Sequence, residues 1–200
     1  MAYNDFTLKK LKDGLGITIF ERQSLFENIE ILSPSLLFQS ILARNLPLAL
    51  VIHTEKARSE LLIINFLLEA RSQLADKVSL FSGIDFNVDK DQGLNGFCDY
   101  ILSAAQEQFY LEAPTLMVVE AKNDNLISGL GPCGAEMYAA QSYNQRENHP
   151  SSQIYGVVTT GTEWKFLRLE KMNLFIDQDA YYINQAAQIV SILVAILSHP

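Results

Sequence analysis

The sequence predicts an α/β protein, with a central mixed β-sheet flanked by helices. Three observations predict it. A segment of helical period covers 54–75, and three apolar, strand-like segments follow between 78 and 122. A second helical segment, two more strands and an apolar closing helix complete the chain. The order helix, three strands, helix, strands, helix is that of an α/β sandwich. Of the 200 residues, 48% are hydrophobic, enough to bury a core without disulfides or metals. Composition is even, with no repeat and no linker. One domain over 1–200 is therefore expected: an extension at 1–50 packed on the core, the core at 54–170 and the closing helix at 184–198.

Residues 15–21 read as a strand. Ser33-Pro34 opens a helix that should stop near Asn45-Leu46-Pro47. Thr54 can cap the helix over 54–75, whose stripe includes Leu61, Ile64 and Leu68, with Glu60 and Glu69 among them. Residues 78–89 read as a strand, and Asp89 to Gly93 as a turn. Strands follow at 94–103 and 115–122, the latter apolar enough for the sheet centre. A loop over 123–134 leads to a helix over 135–148. Residues 154–161 and 163–170 are two more strands, and NLFIDQDAYYI adds an edge.

The charge arithmetic, 15 basic against 23 acidic residues, gives −8. That argues against a protein that coats nucleic acid by bulk charge. Cys98 and Cys133 lie in unlike contexts, and His53, His149 and His199 are scattered, so no zinc spacing exists. The N-terminal segment lacks the apolar core of a signal peptide. The longest apolar run, Ile189 to Leu197, is too short to span a bilayer. The expectation is a cytoplasmic, reduced protein with no membrane partner.

The sharpest chemical feature is Glu120-Ala121-Lys122, at the end of an apolar strand. Strand side chains alternate, so Glu120 and Lys122 share a face. Buried charge is costly unless paired or metal-bound. Asp99 interrupts the preceding strand, inside Phe97-Cys98-Asp99-Tyr100-Ile101. If the two strands are neighbours, Asp99 and Glu120 converge. Two carboxylates with retained water suit Mg²⁺, and Mn²⁺ in its place; the Ala121 carbonyl could add a ligand. Lys122 would then help orient the nucleophile and offset phosphate charge, which makes phosphodiester hydrolysis the expected chemistry. The bland alternatives are an in-strand ion pair for Glu120 and Lys122, and a capping carboxylate for Asp99.

With these residues in place, the chain resembles the PD-(D/E)XK nuclease superfamily, which has the restriction-endonuclease-like fold. The resemblance covers roughly 54–170 and includes Asp99 and Glu120-x-Lys122, with Cys98 where the name has proline. The ARSELLIINFLLEAR segment is similar to the opening helix of type I restriction-subunit nuclease domains and of uncharacterised cyanobacterial proteins. The resemblance implies an active site of Asp99, Glu120 and Lys122, assisted by Glu60 from the first helix and Gln141 from the later one. Glu55 and Glu69 are alternatives to Glu60. It implies a Mg²⁺-dependent nuclease acting on DNA, through a homodimer or a partner subunit. The rival is a nuclease-like fold used as a non-catalytic binding or assembly module.

Gly129-Leu130-Gly131-Pro132-Cys133-Gly134 matches G-x-G-x-x-G in form. As a dinucleotide fingerprint it fails, because the turn does not follow the strand at once and no acidic residue ends the next strand. It reads instead as a flexible loop beside the site, or a plain connector. Cys98 and Trp164 read as core residues, and the apolar stripe of 186–197 as core or dimer contact.

Overall fold

The structure, a computed structural model, describes residues 1–198; His199, one of the three histidines, lies outside them. Helix α1 spans Leu8–Leu15, strand β1 Thr18–Gln23 and helix α2 Leu36–Ile52. A short α3 (Glu55–Arg58) passes through a π-helical turn at Ser59–Ile63 into α4 (Ile64–Gln73). Strands β2 (Ser79–Asp85), β3 (Phe97–Ser103) and β4 (Thr115–Ala121) come next. The long helix α5 is Leu126–Arg146. Strands β5 (Ile154–Thr159), β6 (Glu163–Glu170), β7 (Asn173–Asp177) and β8 (Tyr181–Tyr182) precede α6 (Ala186–Ser198).

The sheet is mixed, in the order β1-β7-β6-β5-β4-β3-β2, with β8 pairing to β6 beyond β7. Only β1–β7 and β4–β5 pair in parallel among the described strands. A parallel pair needs a crossover, and α5 supplies the one between β4 and β5. Alternation along each strand divides the core in two. On one side, Met117, Val119, Phe166 and Trp164 pack against α4 and α6. On the other, Val118, Val158 and Leu167 pack against α1 and α5. The expected α/β sheet with flanking helices is thus present.

Two elements differ from the sequence expectation. Helix α2 runs through Pro47 to His53, whose left-handed φ of 51° closes it. Proline withholds one N–H from the Ala43 carbonyl, and both residues are exposed, so water can take its place. The helix is held from inside, by buried Phe38 and Ala49 and by Asn45, whose amide donates to the Leu61 carbonyl at 3.0 Å. The expected loop at 123–134 is also wrong beyond Asn125. Asn125 caps α5, and Gly129 to Gly134 form buried helical turns. The glycines there allow close packing rather than flexibility. A Cβ on Gly129 would stand 2.6 Å from Val158, and one on Gly131 would collide with the Phe6 carbonyl. Smaller differences lie at the ends: NLFIDQDAYYI supplies β7, which is interior, between β6 and β1.

Candidate functional site

Strands β3 and β4 are neighbours, paired antiparallel through Ile101–Val118 and Tyr100–Val119. The next pair in that register would be Asp99 opposite Glu120. There the ladder ends. Asp99 instead uses its side chain: Oδ2 accepts the Ala121 N–H at 2.8 Å. A carboxylate so bridges the mouth of a fork between two strands. On the far side of β4, the Lys122 N–H donates to the Thr159 carbonyl at 2.8 Å, holding the strand end against β5.

Glu120 is 4% exposed, although it is a carboxylate at a strand end. Its Oε1 accepts from Lys122 Nζ at 2.6 Å. Burial pushes the Glu120 carboxyl up to about 7, against the pull of Lys122; Asp99 and Glu55 add to the rise. Burial opposes the Lys122 charge, yet the Glu120 carboxylate holds its ammonium above the ordinary lysine value. The Lys122 stem lies against Gly129 at the start of α5, where a Cβ would come within 3.2 Å of it. A side chain at 129 would press first on Val158, at 2.6 Å, and more lightly on the lysine stem.

Glu136, from α5, belongs to the same cluster. It is 1% exposed, and its Oε2 has no hydrogen-bond partner. Burial raises its carboxyl well above the ordinary value, and Glu120 and Asp99 push in the same direction. The Cys98 thiol lies beside it and is raised by burial and by Glu136. Cys98 and Cys133 are both free and buried. Glu136 was not singled out in the sequence. The available signal was one acid in the middle of the otherwise acid-free helical stretch from Leu126 to Arg146.

A cleft of about 270 Å³ opens on the α3 side of the fork. Asp99, Tyr100 and Ala121 form its floor, and Glu55, Lys56, Ser59 and Glu60 line it as well. The π-helical turn presents Ser59, whose hydroxyl pairs with the Tyr100 hydroxyl at 2.6 Å. Glu120 and Lys122 do not line this cleft; they lie on the α5 side of β4, with Asp99 between the two.

The expected residues divide accordingly. Asp99, Glu120, Ala121 and Lys122 come together. Glu60 reaches the cleft rim, but its carboxylate is engaged on the surface with Lys56 at 2.8 Å. Glu55 is the helix glutamate whose charge acts on Glu120 and Lys122. Glu69 is a structural residue: it accepts the Ser35 N–H and hydroxyl, each at 2.7 Å. Gln141 is not brought to the site. It lies twelve residues beyond Gly129 on α5, about 18 Å along the helix. Its neighbour Asn144 binds the opposite end of β4. Trp164 is fully buried, its indole N–H donating to the Gly161 carbonyl, so it cannot meet a ligand. Arg58 is likewise buried, bound to the Thr160 carbonyl, the Thr162 hydroxyl and His53.

Among the described residues, no three His, Cys, Asp or Glu side chains converge as a ready cation cage. The donor set still suits a hard cation that keeps most of its water. The oxygens on offer are those of Asp99 and Glu120 at neighbouring strand ends, with the Lys122 ammonium beside them. No helix among the described residues is long and apolar enough to cross a membrane. No protein-family model matches the chain, and no curated protein or solved structure matches it.

Proposed function

We propose that this chain is a divalent-cation-dependent nuclease of the PD-(D/E)XK kind, with the restriction-endonuclease-like fold and DNA as substrate. The observation that carries this reading is the fork. Asp99 spans from β3 to the Ala121 amide, with the Glu120–Lys122 pair at the adjacent position. In an ordinary sheet, a buried carboxylate is an expense without return.

Asp99 and Glu120 would hold Mg²⁺, or Mn²⁺ in its place, with the Ala121 carbonyl as a further oxygen. When bound, the cation supplies Lewis acidity at the phosphoryl oxygen. Lys122 presents the ammonium. Released from Glu120, it would orient the attacking water and offset negative charge on the phosphate. The Asp99 bond to Ala121 fixes the spacing of the two strand ends, and Glu136 backs Glu120 from the helix side. Glu55 and Glu60 make the cleft rim acidic. Together with the −8 charge, that disfavours tight binding of DNA by one chain alone. A cytoplasmic location goes with this reading.

A second reading is a nuclease-like fold serving as a binding or assembly module. The closed ion pair between Glu120 and Lys122 favours it, because a satisfied pair needs no ligand. Two measurements separate the readings. Under the nuclease reading, Mn²⁺ raises the Tm of the native chain and not that of Glu120→Ala. Plasmid and single-stranded DNA are then cut with Mg²⁺ or Mn²⁺. Folded Asp99→Ala and Lys122→Ala lose at least about 10²-fold in rate. If the metal leaves Tm unmoved and the variants cut as well as the parent, the module reading stands instead.

A further inference from the structure

Strands β2 and β3 both change faces at one point. Before it, Leu80 and Ser82 of β2, with Tyr100 and Leu102 of β3, turn to the α3 and α4 side of the sheet. Beyond it, Ile84 and Cys98 turn to the α5 side. Regular alternation would keep residues two apart on one face. The change falls at Gly83, which takes a left-handed φ of 61°, and at Asp99, which stands opposite it in the register. Glycine meets that φ without strain. The next residues, Asp85 and Phe97, are thereby brought round to the cleft side. They form a cross-strand pair. Phe97 is 69% exposed, and Asp85 is exposed as well. Phe97 lies roughly 7 Å beyond Asp99 along β3, outside the cleft whose floor Asp99 forms.

We propose that Phe97 and Asp85 hold an unpaired base of the substrate, which makes that substrate single-stranded DNA. The choice of ligand rests on the nuclease reading. An exposed ring beside an exposed carboxylate takes a flat molecule with N–H donors on its edge. An unpaired base is such a molecule: its face stacks on Phe97, and its amino group donates to Asp85. In a duplex both features are already used, the faces by neighbouring bases and the edges by pairing. Charge points the same way. At −8, with Glu55 and Glu60 at the cleft, the chain attracts phosphates poorly. Stacking needs no charge, so it is the means of holding DNA that an acidic protein keeps. The cleft, at about 270 Å³, is smaller than most small-ligand pockets, so it admits one splayed nucleotide and not two paired strands.

Anisotropy of a short fluorescein-labelled single strand, with Ca²⁺ as the cation, measures binding apart from cleavage. The native chain binds the strand at least about 10-fold more tightly than the same sequence as a duplex. Phe97→Thr places a good strand former at an exposed position, so it retains the parent circular dichroism and Tm. It binds the strand about 10-fold more weakly. Phe97→Trp keeps the affinity, and its new indole, unlike that of buried Trp164, is quenched by the strand. Unlabelled oligo-dC competes better than oligo-dT, because thymine carries no amino group, and Asp85→Thr removes the difference. The proposal is overturned by a native chain that binds no strand, by Phe97→Thr binding as the native chain does, by a duplex bound as tightly as the strand, or by equal competition from oligo-dC and oligo-dT. A chain that cuts DNA yet gives one of these results leaves the nuclease reading standing alone. A chain that binds the strand through Phe97 and cuts nothing keeps the base site and removes the nuclease reading.

Discussion

The two ends of β4 solve the same problem in different ways. At its start, Asn144 reaches from α5 and pairs both backbone groups of Thr115. Its Oδ1 accepts the N–H at 2.7 Å, and its Nδ2 donates to the carbonyl at 2.8 Å. The groups are neutral, and what is left over is one hydroxyl of Thr115. At the other end, Asp99 takes the Ala121 N–H with one oxygen, Glu120 is buried on a single lysine, and Glu136 has an oxygen with no partner. An amide would cap this end as well as it caps the first, at lower cost. Stability therefore explains Asn144 and does not explain the carboxylates. The buried charges that the fold does not require mark this end of β4 as the candidate site.

Three substitutions can break or sharpen this contrast. The largest effect on stability belongs to the neutral end. Asn144→Ala strands two buried backbone groups and should cost about 3 kcal/mol, read by urea unfolding; under the nuclease proposal, cleavage per folded molecule stays unchanged. A silent variant would remove the contrast.

At the charged end the sign reverses. The Glu120 carboxyl is raised from 4.5 to about 7 by burial, so the folded state favours the protonated form. Stability from that group is complete below pH 4.5 and is lost as pH rises through 7. In EDTA at pH 8, Glu120→Gln should raise Tm by on the order of 5 °C, and the gain should shrink toward pH 4.5; under the nuclease proposal the same variant does not cut DNA. A Tm that falls at pH 8 would make Glu120 a structural ion-pair residue.

The smallest effect is at Glu69, a carboxylate with an ordinary structural task. Burial raises its pKa, but the bonds from Ser35 and Gln73 outweigh that and hold it below 4.5. Its contribution is complete above pH 4.5 and fades as pH falls through the lower folded value. Glu69→Gln should therefore lower stability modestly near pH 8, where the carboxylate contributes in full, and have little effect well below pH 4.5, which flattens the acid limb of the pH profile.

Local pattern made some of this legible. The strand at 163–170 and the Thr54 cap appear where the spacing predicts them. Asp99, Glu120 and Lys122 stood out because charges in apolar strands are expensive. Pattern failed where a neighbour outweighed local preference. Proline and three glycines read as breakers, but Pro47 lies in a helix anchored from beneath. Gly129, Gly131 and Gly134 sit in a helix pressed against Lys122, Phe6 and Leu11. Glu60 and Gln141 show how far a helix position alone can specify a site residue. Position on a helix does not specify which turn faces the fork: Glu60 lines the cleft rim but is paired with Lys56, and Gln141 lies far along α5 from the strand ends.

By itself the sequence determined the α/β class, the apolar strand that carries Glu120 and Lys122, and the cost of putting them there. These follow from side-chain chemistry and from the two-residue period of a strand. Only the tertiary structure decided that β3 lies beside β4 and that Asp99 closes their fork. It alone decided that Glu136 joins from α5 and that one face of α2 is left in water. Those facts depend on contacts between residues far apart in the chain, and no local periodicity encodes which distant surfaces will meet.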